Sequence, residues 1–313
     1  MDLDYQTIFQ RNYGIFEEAD QERIRDTRVL VIGDSGVGET IAIILARCGV
    51  ERLVIAGEDR YEPSDMNRQM CCFSDTIGHR KVDVVRETIL SINPRADVVT
   101  HHHLPSEEQL DPLVSDADVV IPAVDDFPYS IQLFRAARRH AKPAVLCLPS
   151  GTMGYVSVFT AQGPTIEDML GVPPLDYEGM HELIHTREYR CGQYNLITAG
   201  DWRVEWFWDY FKGERPLALI CPAEWMLTSL AAMEILKIGS QKWPPMEAPR
   251  CWYARNGIIS DSHFSWFLRW HRKLGWLIFG SETGKRVHKV GLWFWKPFFR
   301  YLKGRQEKLE TKG

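Results

Sequence analysis

The stretch "RVLVIGDSGVGETIAIILARCGV", residues 28–50, decides the fold. Its opening "RVLVIG" is an apolar run closed by Gly33, the pattern of a strand buried on both faces. The turn "GDSGVG" follows, and apolar residues then recur at helical spacing as far as Gly49, a helix stop. Strand, glycine turn and helix in that order predict the start of a βαβ unit, and the chain repeats the theme. "RLVIAG" (52–57) reads as a strand and "HRKVDVVRETILSIN" (79–93) as a helix ended before Pro94. "ADVVTHHH" and "ADVVIPAV" are strands on either side of the short helix "SEEQLDPLVSD". "SIQLFRAARRHAK" is a helix, and "PAVLCLPSGTMGYVSVFT" is strand, turn and strand. Alternation of this kind predicts an α/β fold: a doubly wound, Rossmann-like, mostly parallel sheet with helices on both faces.

Composition sets the outer bounds. The 313 residues, 45% of them hydrophobic, suffice for one large domain with an extension. The seven cysteines include no CxxC pair, which argues against a zinc–thiolate site. Their odd number and the lack of a signal-peptide pattern favour a reducing cytoplasm. No run approaches the roughly 18 apolar residues of a spanning helix.

The net charge of −5 hides an asymmetry. Residues 265–313 carry twelve Lys and Arg against three Asp and Glu, and five of the eleven tryptophans. The expected organisation is therefore a nucleotide-binding domain over 1–260 and a basic, Trp-rich C-terminal extension over 261–313. Such an extension packs as a helical arm, docks on an anionic protein, or rests on an anionic membrane surface. Nucleic acid is not expected, because the rest of the chain is acidic.

The turn itself leaves two readings open. A GxGxxG loop lets backbone N–H groups reach phosphates at a helix N-terminus, but many α/β turns are tightened only for packing, and here Ser35 stands at the second glycine. Arg68 and Lys81 shift the balance. A lone arginine in a turn is ordinarily solvated surface, whereas a lysine opening a helix opposes the helix dipole and asks for an anion nearby.

Taken in order, "QRNYG", "VLVIGDSGVG", "PSDMNRQ", "IGHRK", "INPRADV" and "ADVVIPAVDDF" resemble the ThiF/MoeB/HesA adenylyltransferase family, which includes the ubiquitin-activating enzymes. The resemblance covers Tyr5 to Pro174 and weakens to one helical pattern, "PLALICPAEWMLTSLAAMEILKI". It implies ATP and Mg²⁺ as cofactors and adenylation of a carboxylate: the C-terminus of a carrier protein or peptide, or a small acid. It also implies that Gly33, Ser35, Gly36 and Gly38 cradle phosphate, that Arg68 and Lys81 hold the phosphate tail, and that Asn67 orients it. Asp125 would hold the metal. Arg11 would reach the ATP of a neighbouring subunit, in a homodimer or in a heterodimer with a relative. The expected location is cytoplasmic, with peripheral contact to a membrane through the tail as the further option.

The pattern also breaks. Gly57 stands where the family places the aspartate that grips the ribose, which predicts loosened ribose recognition unless Glu58 or Asp59 takes over; Asp59 is the residue assigned. Glu39 and Asp65 add negative charge around the expected phosphate site, and Ser130 replaces a common arginine. Two readings follow. Retention of Arg68, Lys81 and Asp125 favours an adenylating enzyme with a modified pocket. Loss of the ribose aspartate favours a non-catalytic scaffold or partner subunit. A dehydrogenase would need an acid at position 57. Cys191, with Arg187 and Arg190 nearby to lower its pKa, is either a thioester-forming cysteine or an ordinary loop thiol. Asp125 has its own plain alternative, that of capping the helix that follows.

Overall fold

The computed structural model describes residues 4–186, 189, 200–211 and 213–263. Cys191, Arg187, Arg190 and the basic segment from residue 264 onward lie outside them. Eight strands form one sheet in the order β3-β2-β1-β4-β5-β6-β7-β8. They are β1 (Arg28–Ile32), β2 (Arg52–Ala56), β3 (Asp97–His101), β4 (Val119–Pro122), β5 (Ala144–Ser150), β6 (Met153–Phe159), β7 (Arg250–Arg255) and β8 (Ile258–His263). The first five are parallel and the last three continue antiparallel.

The helices are α1 (Tyr5–Ile8), α2 (Glu18–Asp26), α3 (Gly36–Arg47), α4 (Lys81–Ile92), α5 (Glu107–Asp116), α6 (Phe127–Arg139), α7 (Ile166–Leu170), α8 (Tyr177–His185), α9 (Val204–Phe211) and α10 (Cys221–Ser240). Side chains alternate across a strand, so β1 feeds both faces. Val29 and Val31 pack with Ile41 and Leu45 of α3, Val85 and Ile89 of α4, and Leu227 and Ile235 of α10. Leu30 and Ile32 pack with Val114 of α5, Ile131 and Phe134 of α6, and Met180 of α8. Each such apolar side chain contributes roughly 1.5–3 kcal/mol by leaving water.

The chain runs outward from β1 to β2 and β3, then returns and runs the other way from β4. The order therefore reverses between β1 and β4. In open α/β sheets the crevice beyond the carboxyl ends of the strands at that reversal is where ligands bind. The hairpin of β7 and β8 was not foreseen, although its turn, Asn256-Gly257 with φ of 49° and 79°, is a strong hairpin signal.

Candidate active site

Gly33 ends β1 with φ of 111°, a conformation that L side chains rarely adopt. A Cβ there would lie 2.7 Å from the Val124 nitrogen and closer still to the Ala123 carbonyl at the end of β4. The Ser35 hydroxyl donates to that same carbonyl at 2.9 Å, pinning the turn to β4. Ser35 is the N-cap of α3 but gives the helix no side-chain cap. Among the described residues no side chain caps the first N–H groups of this 12-residue helix. On the β4 side, Asp126 and not Asp125 caps α6, accepting from the Tyr129 N–H at 3.0 Å. Capping therefore does not account for Asp125, which follows β4 and is exposed.

Lys81 opens α4 and is buried. The anion that its position called for is protein: its Nζ lies 3.3 Å from Asp59 and 3.4 Å from Asp65. Burial works against the ammonium, but Asp65, Asp59 and Asp34 together outweigh it and hold its pKa above the ordinary lysine value. Asp65 is the hub. It accepts from the Glu62 N–H at 3.0 Å and from Gln69 Nε2 at 2.8 Å, and it pairs with Arg68 at 3.5 Å. Arg68 also donates to the Ser64 carbonyl at 3.1 Å and to Asn67 Oδ1 at 2.9 Å. Its Nε faces Glu224 Oε2 at 3.6 Å. The start of α10 closes over this turn, Trp225 Nε1 donating to the Arg68 carbonyl at 2.7 Å and Asn67 Nδ2 to the Leu219 carbonyl at 3.3 Å.

Two residues absent from the sequence expectations complete the site. Glu224 is 2% exposed, and its carboxyl group lies against Gly36, where a Cβ would come within 2.8 Å of the Glu224 Cδ. Its Oε1 has no hydrogen-bond partner among the described residues. Asp34, 4% exposed, folds its carboxylate over Gly57 and accepts the Asp59 N–H at 3.2 Å. Asp59 itself is turned to Lys81, so its side chain is not at the corner that Gly57 leaves open.

Glu39 requires a correction. Expected to face the phosphate site, it is wholly buried and turned away, accepting from the Tyr61 hydroxyl at 2.6 Å and from the Cys71 N–H. These two donors satisfy the carboxylate and tie α3 to the 61–71 segment. The Cys71 thiol is buried and pushed up to about 12, chiefly by burial, which leaves it no nucleophilic character at neutral pH. Arg11 is exposed on the turn Gln10–Gly14, and among the described residues it forms no ion pair with the acids of 17–22.

The two unexpected carboxyls titrate high. Burial raises Glu224 from 4.5 to about 7 against the pull of Arg68, and raises Asp34 from 3.8 to about 6 with help from Asp59. In the unfolded chain both ionise near their ordinary values, so between about pH 4.5 and 7 the folded state binds more protons and stability falls as pH rises. Glu224→Gln should flatten that fall and be more stable than the parent at pH 8 by roughly 2 kcal/mol, read from urea midpoints. An unchanged slope would mean that Glu224 is ionised in the fold throughout.

The fold is α/β and Rossmann-like, and a glycine turn, a buried lysine and an arginine are gathered near the reversal of its strand order. The chain belongs to the ThiF family, whose model matches residues 9–258, well past Pro174 where the motifs fade. It is 34% identical over 142 residues to protein HesA of Nostoc sp., covering 45% of this chain and 56% of that protein. It is 29% identical over 147 residues to the molybdopterin-synthase adenylyltransferase of Escherichia coli, covering 47% and 59%. The chain thus spans little more than half the length of these curated relatives. Among solved structures, E. coli MccB in complex with MccA-N7isoASN superposes with a TM-score of 0.64 at 16% identity, over 84% of this chain and 73% of that one. PaaA superposes with a TM-score of 0.57 at 18% identity, over 79% and 66%. At these identities the structural likeness concerns the fold.

Proposed function

We propose that this chain binds Mg·ATP in the β1–β4 crevice and adenylates a carboxylate, the acid being a peptide or carrier-protein C-terminus or a small acid. The observation that carries the reading is convergence: Lys81 and Arg68, joined through Asp65, stand beside the glycine turn and the start of α3, where Ser35 makes no side-chain cap and Glu224 lies against Gly36. Family relatives named as adenylyltransferases and the MccB structures with ATP and with MccA-N7isoASN support it.

The chemistry asks little of a base. The substrate carboxylate is already ionised at pH 7, and its oxygen attacks the α-phosphorus as the bond to pyrophosphate breaks. The protein must align anions and neutralise them. Lys81 and Arg68 do so from fixed positions, which spares the entropy of ordering two long side chains. The α3 N-terminus adds backbone donors for phosphate oxygens.

The surroundings are nevertheless acid-rich: Asp34, Asp59, Asp65, Asp125 and Glu224 face two cations. A triphosphate therefore needs added positive charge. Magnesium is commonly bound by one or two carboxylates with phosphate and water completing the shell, and the exposed Asp125 suits that role. When bound, the ion would neutralise phosphate charge. Arg11, exposed on its N-terminal turn, is proposed to reach the pocket of a second subunit.

Calorimetry tests the reading. Mg·ATP should bind, and ATP with the metal chelated should bind at least about tenfold more weakly, since a full charge pair is lost. The competing reading, a non-catalytic scaffold, draws on one observation: both cations are already matched by protein carboxylates. Absence of binding at millimolar Mg·ATP would favour it.

A further inference from the structure

We infer that Asp34, on the glycine turn after β1, supplies the ribose-binding carboxylate of this site in place of a residue at the end of β2. The inference rests on the proposed nucleotide site and names its sugar-recognising group. In doubly wound folds a carboxylate at the end of the second strand accepts hydrogen bonds from ribose hydroxyls. Here that strand, β2, ends at Gly57, which has no side chain.

The corner is filled all the same. A Cβ placed on Gly57 would stand 2.5 Å from the Asp34 Cβ and closer to its carboxylate. Asp34 and any side chain at 57 therefore exclude one another, and the two positions form a reciprocal pair: a carboxylate on one strand end and glycine on the other. Among the described residues, the one hydrogen bond from another residue to the Asp34 carboxylate runs from the Asp59 N–H to Oδ2 at 3.2 Å. Lys81, on the other side of Asp59, draws the charge of both acids without contacting Asp34 as an ion pair. Oδ1 thus retains acceptor capacity where the sugar of a nucleotide lying on the α3 N-terminus would pass. Neither neighbour competes for the role: Glu58 is exposed, and Asp59 is committed to Lys81.

The test is calorimetry at pH 8 with Mg·ATP and Mg·2′-deoxy-ATP on the full chain. The parent should prefer ATP by about ten- to a hundredfold, the worth of a hydrogen bond to a charged acceptor. Asp34→Ala should bind both nucleotides equally. Joint Asp34→Gly and Gly57→Asp moves the carboxylate back to β2 and should restore the preference. If the parent binds neither nucleotide, the proposed function is wrong. Should it bind both equally, or should Asp34→Ala keep the preference, the assignment of Asp34 is overturned while nucleotide binding stands. The parent's own discrimination needs no variant, so a folding failure of Asp34→Ala leaves the inference open to refutation, and the paired substitution provides the second check.

Discussion

Lys81→Met should abolish measurable Mg·ATP binding and lower stability by about 3 kcal/mol, the cost of removing one partner from a buried ion pair. The lysine is 5% exposed and Asp65 is 6% exposed. Without the ammonium, Asp65 keeps its bonds from Glu62 and Gln69 but loses its nearest buried charge partner, while Arg68, already shared with Glu224, cannot replace it. Folding therefore suffers before any ligand is considered. Binding should suffer again, because among the described residues proposed to hold the phosphates Arg68 would be the remaining cation in an acid-rich crevice. Urea titration reads the first effect and calorimetry the second. A variant of parental stability that still binds Mg·ATP would show that Lys81 lies in neither the core network nor the site.

Gly33→Ala is expected to be as damaging by a different route. The backbone at φ 111° and the approach of the β4 carbonyl both forbid a side chain, so the turn must open or β1 and β4 must part. Strain of this kind costs roughly 1–3 kcal/mol for the backbone alone, with the overlap added to it. Gly78 provides the control, since it also has positive φ, 82°, but open space around its Cβ position. Gly78→Ala should lose only about 1 kcal/mol. If the two variants shift the urea midpoint equally, the close approach at Gly33 has been misread.

Much of this architecture could be read directly from the chain, because its signals are local. The strand–turn–helix of 28–50 depends on apolar runs and one glycine turn. The parallel strands depend on residues such as Val29 to Ile32 and Val119 to Ile121, which are apolar on both faces. Lys81 stands out because a cation opening a helix opposes the dipole, and Arg68 because it falls within "PSDMNRQ", one of the motifs that carry the resemblance. What stayed hidden was tertiary. Glu224 lies in "CPAEW", an ordinary helix opening with proline and an acid in its first turn, and nothing local says that the acid meets Gly36, far back in the chain. Asp34 occupies a variable position of the glycine turn, and its meaning appears only once Gly57 is placed beneath it. Glu39 is charged, but its place on the helix turns it inward. Residues 36–43 of α3 are all buried, so an acid among them must find donors inside the protein, and Tyr61 and the Cys71 N–H are those donors.

The central claim is that the Lys81–Asp65–Arg68 network and the glycine turn form a site for carboxylate activation, and ATP–pyrophosphate exchange tests it most directly. The full chain is incubated with Mg·ATP, labelled pyrophosphate and a panel of small acids, peptides and carrier proteins with free C-termini. The account predicts label entering ATP with at least one acid, dependent on that acid, and lost in Lys81→Met. Mg·ATP binding without exchange across the panel would contradict the adenylation reading and leave a nucleotide-binding scaffold in its place.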